Sequence, residues 1–115
     1  MTYTVPPSDV RSAVGPALVD FVQRVNYVIA HARVTGVNSW WRSVTENYRV
    51  GGDACSQHLY GLAVDLQHSE ADASTVLGVA AAVGLVGVPI SRTATHLQYY
   101  PAGTLRGLGA CPTLA

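Results

Sequence analysis

Leu62-Ala63-Val64-Asp65-Leu66 alternates with a period of two, and this run constrains the chain more than any other stretch. Alternation of this kind predicts a strand with Leu62, Val64 and Leu66 on one face and Ala63 and Asp65 on the other. Such a strand buries its leucines and presents one carboxylate behind a small neighbour. Gly61 joins it to Ser56-Gln57-His58-Leu59-Tyr60, so a loop histidine and a strand aspartate seven positions apart approach one point. With one further histidine, that point would hold a metal.

The second histidine is offered downstream. His96-Leu97-Gln98-Tyr99-Tyr100 alternates again, with His96, Gln98 and Tyr100 sharing a face and Pro101 ending the run. If the strands around Asp65 and His96 are neighbours in one sheet, both side chains project from one face, and His58 arrives from the loop that feeds the first strand. Two imidazoles and one carboxylate leave a fourth position open, the donor pattern of a catalytic zinc rather than of a closed structural site. The alternative on residues alone is a metal-free polar cluster of the same three side chains.

The remaining elements are predicted from periodicity and punctuation. Pro6-Pro7-Ser8-Asp9 leads into a short helix, with Ser8 or Asp9 as its cap. After Gly15-Pro16, residues Leu18, Phe21, Val22, Val25, Val28 and Ile29 recur at helical spacing, and this amphipathic helix ends between Arg33 and Gly36. His31 falls in its last turn, where imidazolium suits the helix dipole, so its reading is structural. Val37 to Arg42, with Trp40 and Trp41, reads as a strand with Arg42 at its end. Ser43 to Cys55 reads as a long irregular loop. Ser69 opens a helix with Asp72 at the reciprocal capping position, continuing from Ala73 to Val83 and ending at Gly84. Leu85 to Ile90 is a short strand, and the glycine-rich tail from 102 to 115 is irregular.

At 115 residues the chain is expected to form a single domain, 1–115, with room for one site. Its seven basic residues are all arginine and are scattered, balancing seven acidic ones, which excludes a nucleic-acid footprint. The absence of lysine excludes lysine nucleophiles and Schiff bases. No apolar segment approaches the length of a membrane span, and Met1 to Pro7 lacks the pattern of a signal peptide, so export is expected by another route. Cys55 and Cys111 are the only cysteines. They either form a disulfide, worth about 4 kcal/mol by loop entropy, or remain two free thiols.

Ser56-x-His58-x-x-Gly61-x-Ala63-x-Asp65 resembles, at all five fixed positions, the zinc-ligand motif of the M15 peptidases, the D-alanyl-D-alanine carboxypeptidase and dipeptidase superfamily. Five fixed positions match by chance on the order of once in a million starting points. Trp41-Arg42-Ser43, Asn47 and Val50-Gly51-Gly52 resemble the upstream family pattern, and His96 with Gln98 looks like its third ligand strand, so the resemblance covers about 38–100. It implies an α+β fold, a small antiparallel sheet packed with helices and shared with the hedgehog N-domain, with a single zinc site in a cleft. It further implies that His58, Asp65 and His96 bind Zn2+, that Arg42 stabilises a carbonyl oxyanion, and that Ser56 and Gln57 line the substrate cleft. The implied activity is hydrolysis of peptidoglycan stem-peptide amides at the bacterial cell wall, by a monomer of phage-lysin type or by a domain of a longer chain.

The pattern departs from the family near His96. Several branches carry a glutamate or aspartate three residues before the third ligand, where this chain has Thr93; others carry an aspartate two residues after it, where it has Gln98. Neither side chain takes up a proton at neutral pH. Asp53, Glu46 and His68 are the remaining candidates for a general base, each with a surface role as its plainer reading, and alternation aims His68 away from the Asp65 face unless the strand has already ended. The competing expectation is a catalytically degenerate zinc-binding module that holds wall peptides.

Overall fold

Phe21, Val25 and Val28 are completely buried, which puts the long amphipathic helix at the centre of the core. The computed structural model describes residues 5–52 and 56–99. Asp53, Cys55, Tyr100, Cys111 and the tail lie outside the described residues, and with them the question of a Cys55–Cys111 disulfide.

Helix α1 (Ser8–Val14) precedes α2 (Pro16–His31), whose first position is a proline, where the missing N–H costs no hydrogen bond. Pro7 occupies the cap position of α1 and no side chain caps it, so the expected Ser8 or Asp9 cap does not form. Ser8 already lies inside the helix, and its hydroxyl is no longer placed to receive the free N–H groups ahead of it. His31 closes α2 as expected, with its Nδ1 2.8 Å from the Tyr27 carbonyl and its ring stacked on Tyr27.

The sheet contains β1 (Gly36–Ser39), β2 (Ala63–Gln67), β3 (Val86–Ser91) and β4 (Ala94–Gln98) in the order β1-β2-β4-β3, all antiparallel. Val64 faces Leu97 across β2 and β4, and both join Phe21, Val25 and Val28 of α2 and Val76 and Ala80 of α4 (Ala73–Ala82) in the core. Helices α2 and α4 therefore cover one face of the sheet, as the α+β expectation requires. By the pleat, Ala63, Asp65, His96 and Gln98 stand on the other face.

Three local expectations are corrected. The strand after α2 ends at Ser39 rather than Arg42. A register shift between Val37 and Ser39 breaks the pairing, and the Trp40 indole N–H turns to the Gly61 carbonyl, 3.2 Å away. The stretch read as loop contains helix α3 (Val44–Arg49), because the Ser43 hydroxyl accepts a hydrogen bond from the Glu46 N–H and Glu46 pairs with Arg49 one turn on. Six residues are too few for periodicity to reveal. Between Ser69 and α4 the chain makes a 3-10 turn, Glu70–Asp72, in which Ser69 donates to the Asp72 carboxylate instead of forming a reciprocal cap.

A polar cluster pins β4 to the helices at the edge of the core. The Asp20 carboxylate accepts hydrogen bonds from the Tyr99 hydroxyl and from Arg24 Nε at 3.1 Å, while Arg24 lies 4.8 Å over the Tyr99 ring and donates to the Val83 carbonyl. The hydrogen bond from Tyr99, followed by that from Arg24, holds the Asp20 carboxyl below its ordinary pKa. A carboxyl depressed in the folded state contributes stability above its unfolded pKa and loses it as pH falls through the folded value. Asp20→Asn is therefore expected to be less stable than wild type at pH 6, with the difference shrinking below about pH 4 in denaturant titrations.

Candidate metal centre

Ser56 starts the site by capping a 3-10 turn over Gln57–Tyr60: its hydroxyl accepts from the His58 N–H at 3.2 Å. Gly61 ends the turn at φ +72°, a left-handed conformation that glycine adopts without strain. A Cβ there would also press on Leu18 and Pro6, each 3.1 Å away, so the turn sits tightly against α2 and the chain is aimed into β2. This packing leaves His58 buried, 2 % exposed.

His58 Nδ1 lies 2.6 Å from the Trp40 carbonyl, which can only accept, so Nδ1 carries the hydrogen and Nε2 faces the centre. Nε2 is 3.2 Å from Asp65 Oδ1. On the neighbouring strand, the register sets His96 opposite Asp65, and His96 Nδ1 is 2.8 Å from the same Oδ1. His96 Nε2 turns away to Gln98 Oε1, at 2.9 Å. One donor atom from each of His58, Asp65 and His96 thus falls within 4.8 Å of the others.

The second carboxylate oxygen has a separate partner. Arg42 donates from a terminal nitrogen to Asp65 Oδ2 at 3.1 Å, from Nε to the Ser39 hydroxyl at 3.0 Å, and from its other terminal nitrogen to Asn47 Oδ1 at 3.3 Å. Asn47 is buried beneath the Gly51-Gly52 turn. A Cβ on Gly52 would sit 2.2 Å from Asn47 Oδ1, so only glycine lets that amide reach the guanidinium.

Burial pushes the Asp65 carboxyl up in pKa. Hydrogen bonds from His58 and His96, with their charges, outweigh it and hold the group well below the carboxylate range, so Asp65 is an anion. Burial pushes the His96 imidazole down, whereas its hydrogen bonds to Asp65 and Gln98 more than offset this and raise it. With Nδ1 committed to the Trp40 carbonyl, His58 Nε2 stands 3.2 Å from a carboxylate oxygen, a pair of donor atoms that a cation between the two would engage together. Two imidazole nitrogens and one carboxylate oxygen, with the rest of the coordination sphere open to a cleft, suit zinc. The Trp40 carbonyl behind His58 and Arg42 behind Asp65 are the kind of outer partners that orient such ligands.

The cleft holds about 610 Å³ and is lined by Arg42, Ser56, Gln57, His58, Asp65, His96 and Gln98, with Val50, Gly52 and Ile90. All six residues singled out from the sequence therefore gather here. Of the candidate bases, His68 and Glu46 do not. His68 is buried on the helix-facing side of the sheet, bonded to Thr95 Oγ1 and the Ser69 carbonyl, each at 2.8 Å, which corrects the expectation of a surface charge. Glu46 is occupied by Arg49, and Asp53 lies outside the described residues. Among the described residues, Asp65 is the only carboxylate lining the cleft.

Ser39, the Trp40 carbonyl and the buried role of Asn47 were not legible as site components. Asn47 stood out only as part of a family-like pattern, and a backbone carbonyl leaves no mark in a sequence. The model of the peptidase M15 family matches residues 8–98, a span that contains every element described above. No curated protein and no solved structure matches the chain.

Proposed function

The chain belongs to the peptidase M15 family, and on that premise we propose that it is a zinc-dependent peptidase hydrolysing stem-peptide amides of peptidoglycan at the bacterial cell wall. The observation that carries this reading is the convergence of His58 Nε2, Asp65 Oδ1 and His96 Nδ1 on one point inside an open cleft. Zinc bound there supplies a Lewis acid and a water of lowered pKa for amide hydrolysis.

The chain's own residues supply position and charge. Asp65 divides its oxygens, Oδ1 toward the two imidazoles and Oδ2 toward Arg42, so the guanidinium fixes the carboxylate's orientation. Arg42 has five N–H groups and commits three of them to Asp65, Ser39 and Asn47. Among the described residues the other two have no partner, which leaves them to a carbonyl oxygen that gains charge during attack. Ser56 and Gln57 form the rim on which a peptide backbone would rest.

A second reading has one observation in its favour: no carboxylate besides Asp65 lines the cleft among the described residues, as expected of a module that holds wall peptides without cutting them. Incubation of zinc-loaded protein with purified muropeptides, followed by mass spectrometry, separates the two. Release of D-alanine or of an internally cleaved stem supports the peptidase and identifies the bond. Retained binding without product supports the module and overturns the peptidase.

A further inference from the structure

Each imidazole of the centre is held at the nitrogen remote from it, and the two holders differ in kind. His58 is held by the Trp40 main-chain carbonyl, which no side-chain replacement removes. His96 is held by Gln98, two residues along β4 on the same face, through Nε2 at 2.9 Å. Because rotation of an imidazole about χ2 exchanges Nδ1 with Cδ2 between two nearly equivalent settings, the partner at Nε2 decides whether Nδ1 or a carbon turns inward. His96 is half-buried, with a side chain 20 % exposed, so burial restrains it less than His58 at 2 %.

We propose that Gln98 is a positioning residue for the metal centre: by accepting the Nε2 hydrogen of His96 it keeps Nδ1 aimed at Asp65 Oδ1 and at the metal. The proposal rests on the reading of His58, Asp65 and His96 as zinc ligands and adds a role that the three ligands alone do not contain. It also accounts for a glutamine here rather than an acid. An amide is a neutral acceptor, so it fixes the ring without adding a second negative charge beside Asp65, whose charge Arg42 already balances.

The geometry is tested by zinc affinity, measured by competition with a chromophoric chelator, on wild type, Gln98→Met and Gln98→Glu. Methionine keeps the length and removes the acceptor; glutamate keeps both the length and the acceptor. Removing an outer partner of a ligating histidine weakens metal binding by roughly 10- to 100-fold. Gln98→Met is expected to show that loss and Gln98→Glu to bind at least as tightly as wild type. Val86→Ala, which alters the residue paired with Gln98 across the sheet, is expected to leave affinity unchanged.

Nitrogen-15 shifts of the zinc-loaded wild type give a readout independent of any variant, with the His96 proton expected on Nε2. Wild-type affinity in Gln98→Met, an equal loss in Gln98→Glu, or a proton on Nδ1 each overturns the role of Gln98 while the zinc site stands. A wild type that binds no zinc overturns the ligand reading itself, and this inference with it.

Discussion

Asp65→Asn is expected to strip the protein of zinc and to reduce peptidase activity to background. The substitution is nearly isosteric but removes the one anion of the donor set and leaves an amide between two imidazoles. Loss of an outer partner alone costs roughly 10- to 100-fold in metal affinity, so loss of a charged ligand should exceed about 100-fold. The apo protein should suffer as well. Arg42 and Asp65 are a mostly buried pair, with side chains 16 % and 12 % exposed, and deleting one partner leaves the other uncompensated. Such losses run to about 3–5 kcal/mol in fully buried pairs, and partial exposure places this one at the lower end. Metal content by elemental analysis and urea unfolding of the metal-free protein check the two parts separately. Full zinc occupancy in Asp65→Asn would end the assignment of this carboxylate as a ligand.

Arg42→Met is expected to produce the second largest effect, of a different kind. At saturating zinc the metal should still bind, because His58, Asp65 and His96 all remain, whereas kcat should fall by about 100-fold or more, as when a charge-stabilising donor is removed from a hydrolase. KM should change less, since the donor acts chiefly on charge that develops during attack. Arg42→Lys should recover little, because an ammonium cannot bridge Ser39, Asn47 and Asp65 as the planar guanidinium does. Steady-state kinetics on a defined stem peptide at fixed zinc decides this, and an unchanged kcat in Arg42→Met would remove Arg42 from the chemistry.

Much of this centre is legible in the chain itself because it rests on short-range rules. Alternation in Leu62–Leu66 separates Asp65 from the leucines, and alternation in His96–Gln98 puts His96 and Gln98 on one face. The spacing of α2 is equally local, and Phe21, Val25 and Val28 are buried where it predicts. Helix α3 escaped because a six-residue helix held by one cap and one ion pair carries too little periodic signal. His68 escaped for another reason. Its polarity argued for the surface, yet Thr95 and the Ser69 carbonyl satisfy both ring nitrogens inside the core, and a satisfied imidazole is cheap to bury.

By itself, then, the sequence determined which residues carry donor atoms, which face of its strand each occupies, and which family pattern they fit. Those properties follow from backbone sterics and side-chain chemistry within a few residues. Only the tertiary structure decided that Asp65 stands directly opposite His96, that Trp40 and Gln98 hold the far nitrogens of the two imidazoles, and that Arg42 takes the second oxygen of Asp65. Each of these joins segments or sets side-chain directions through strand register and core packing. Register is chosen when the leucines of β2 and β4 are buried together against α2 and α4, a long-range burial that no local window contains.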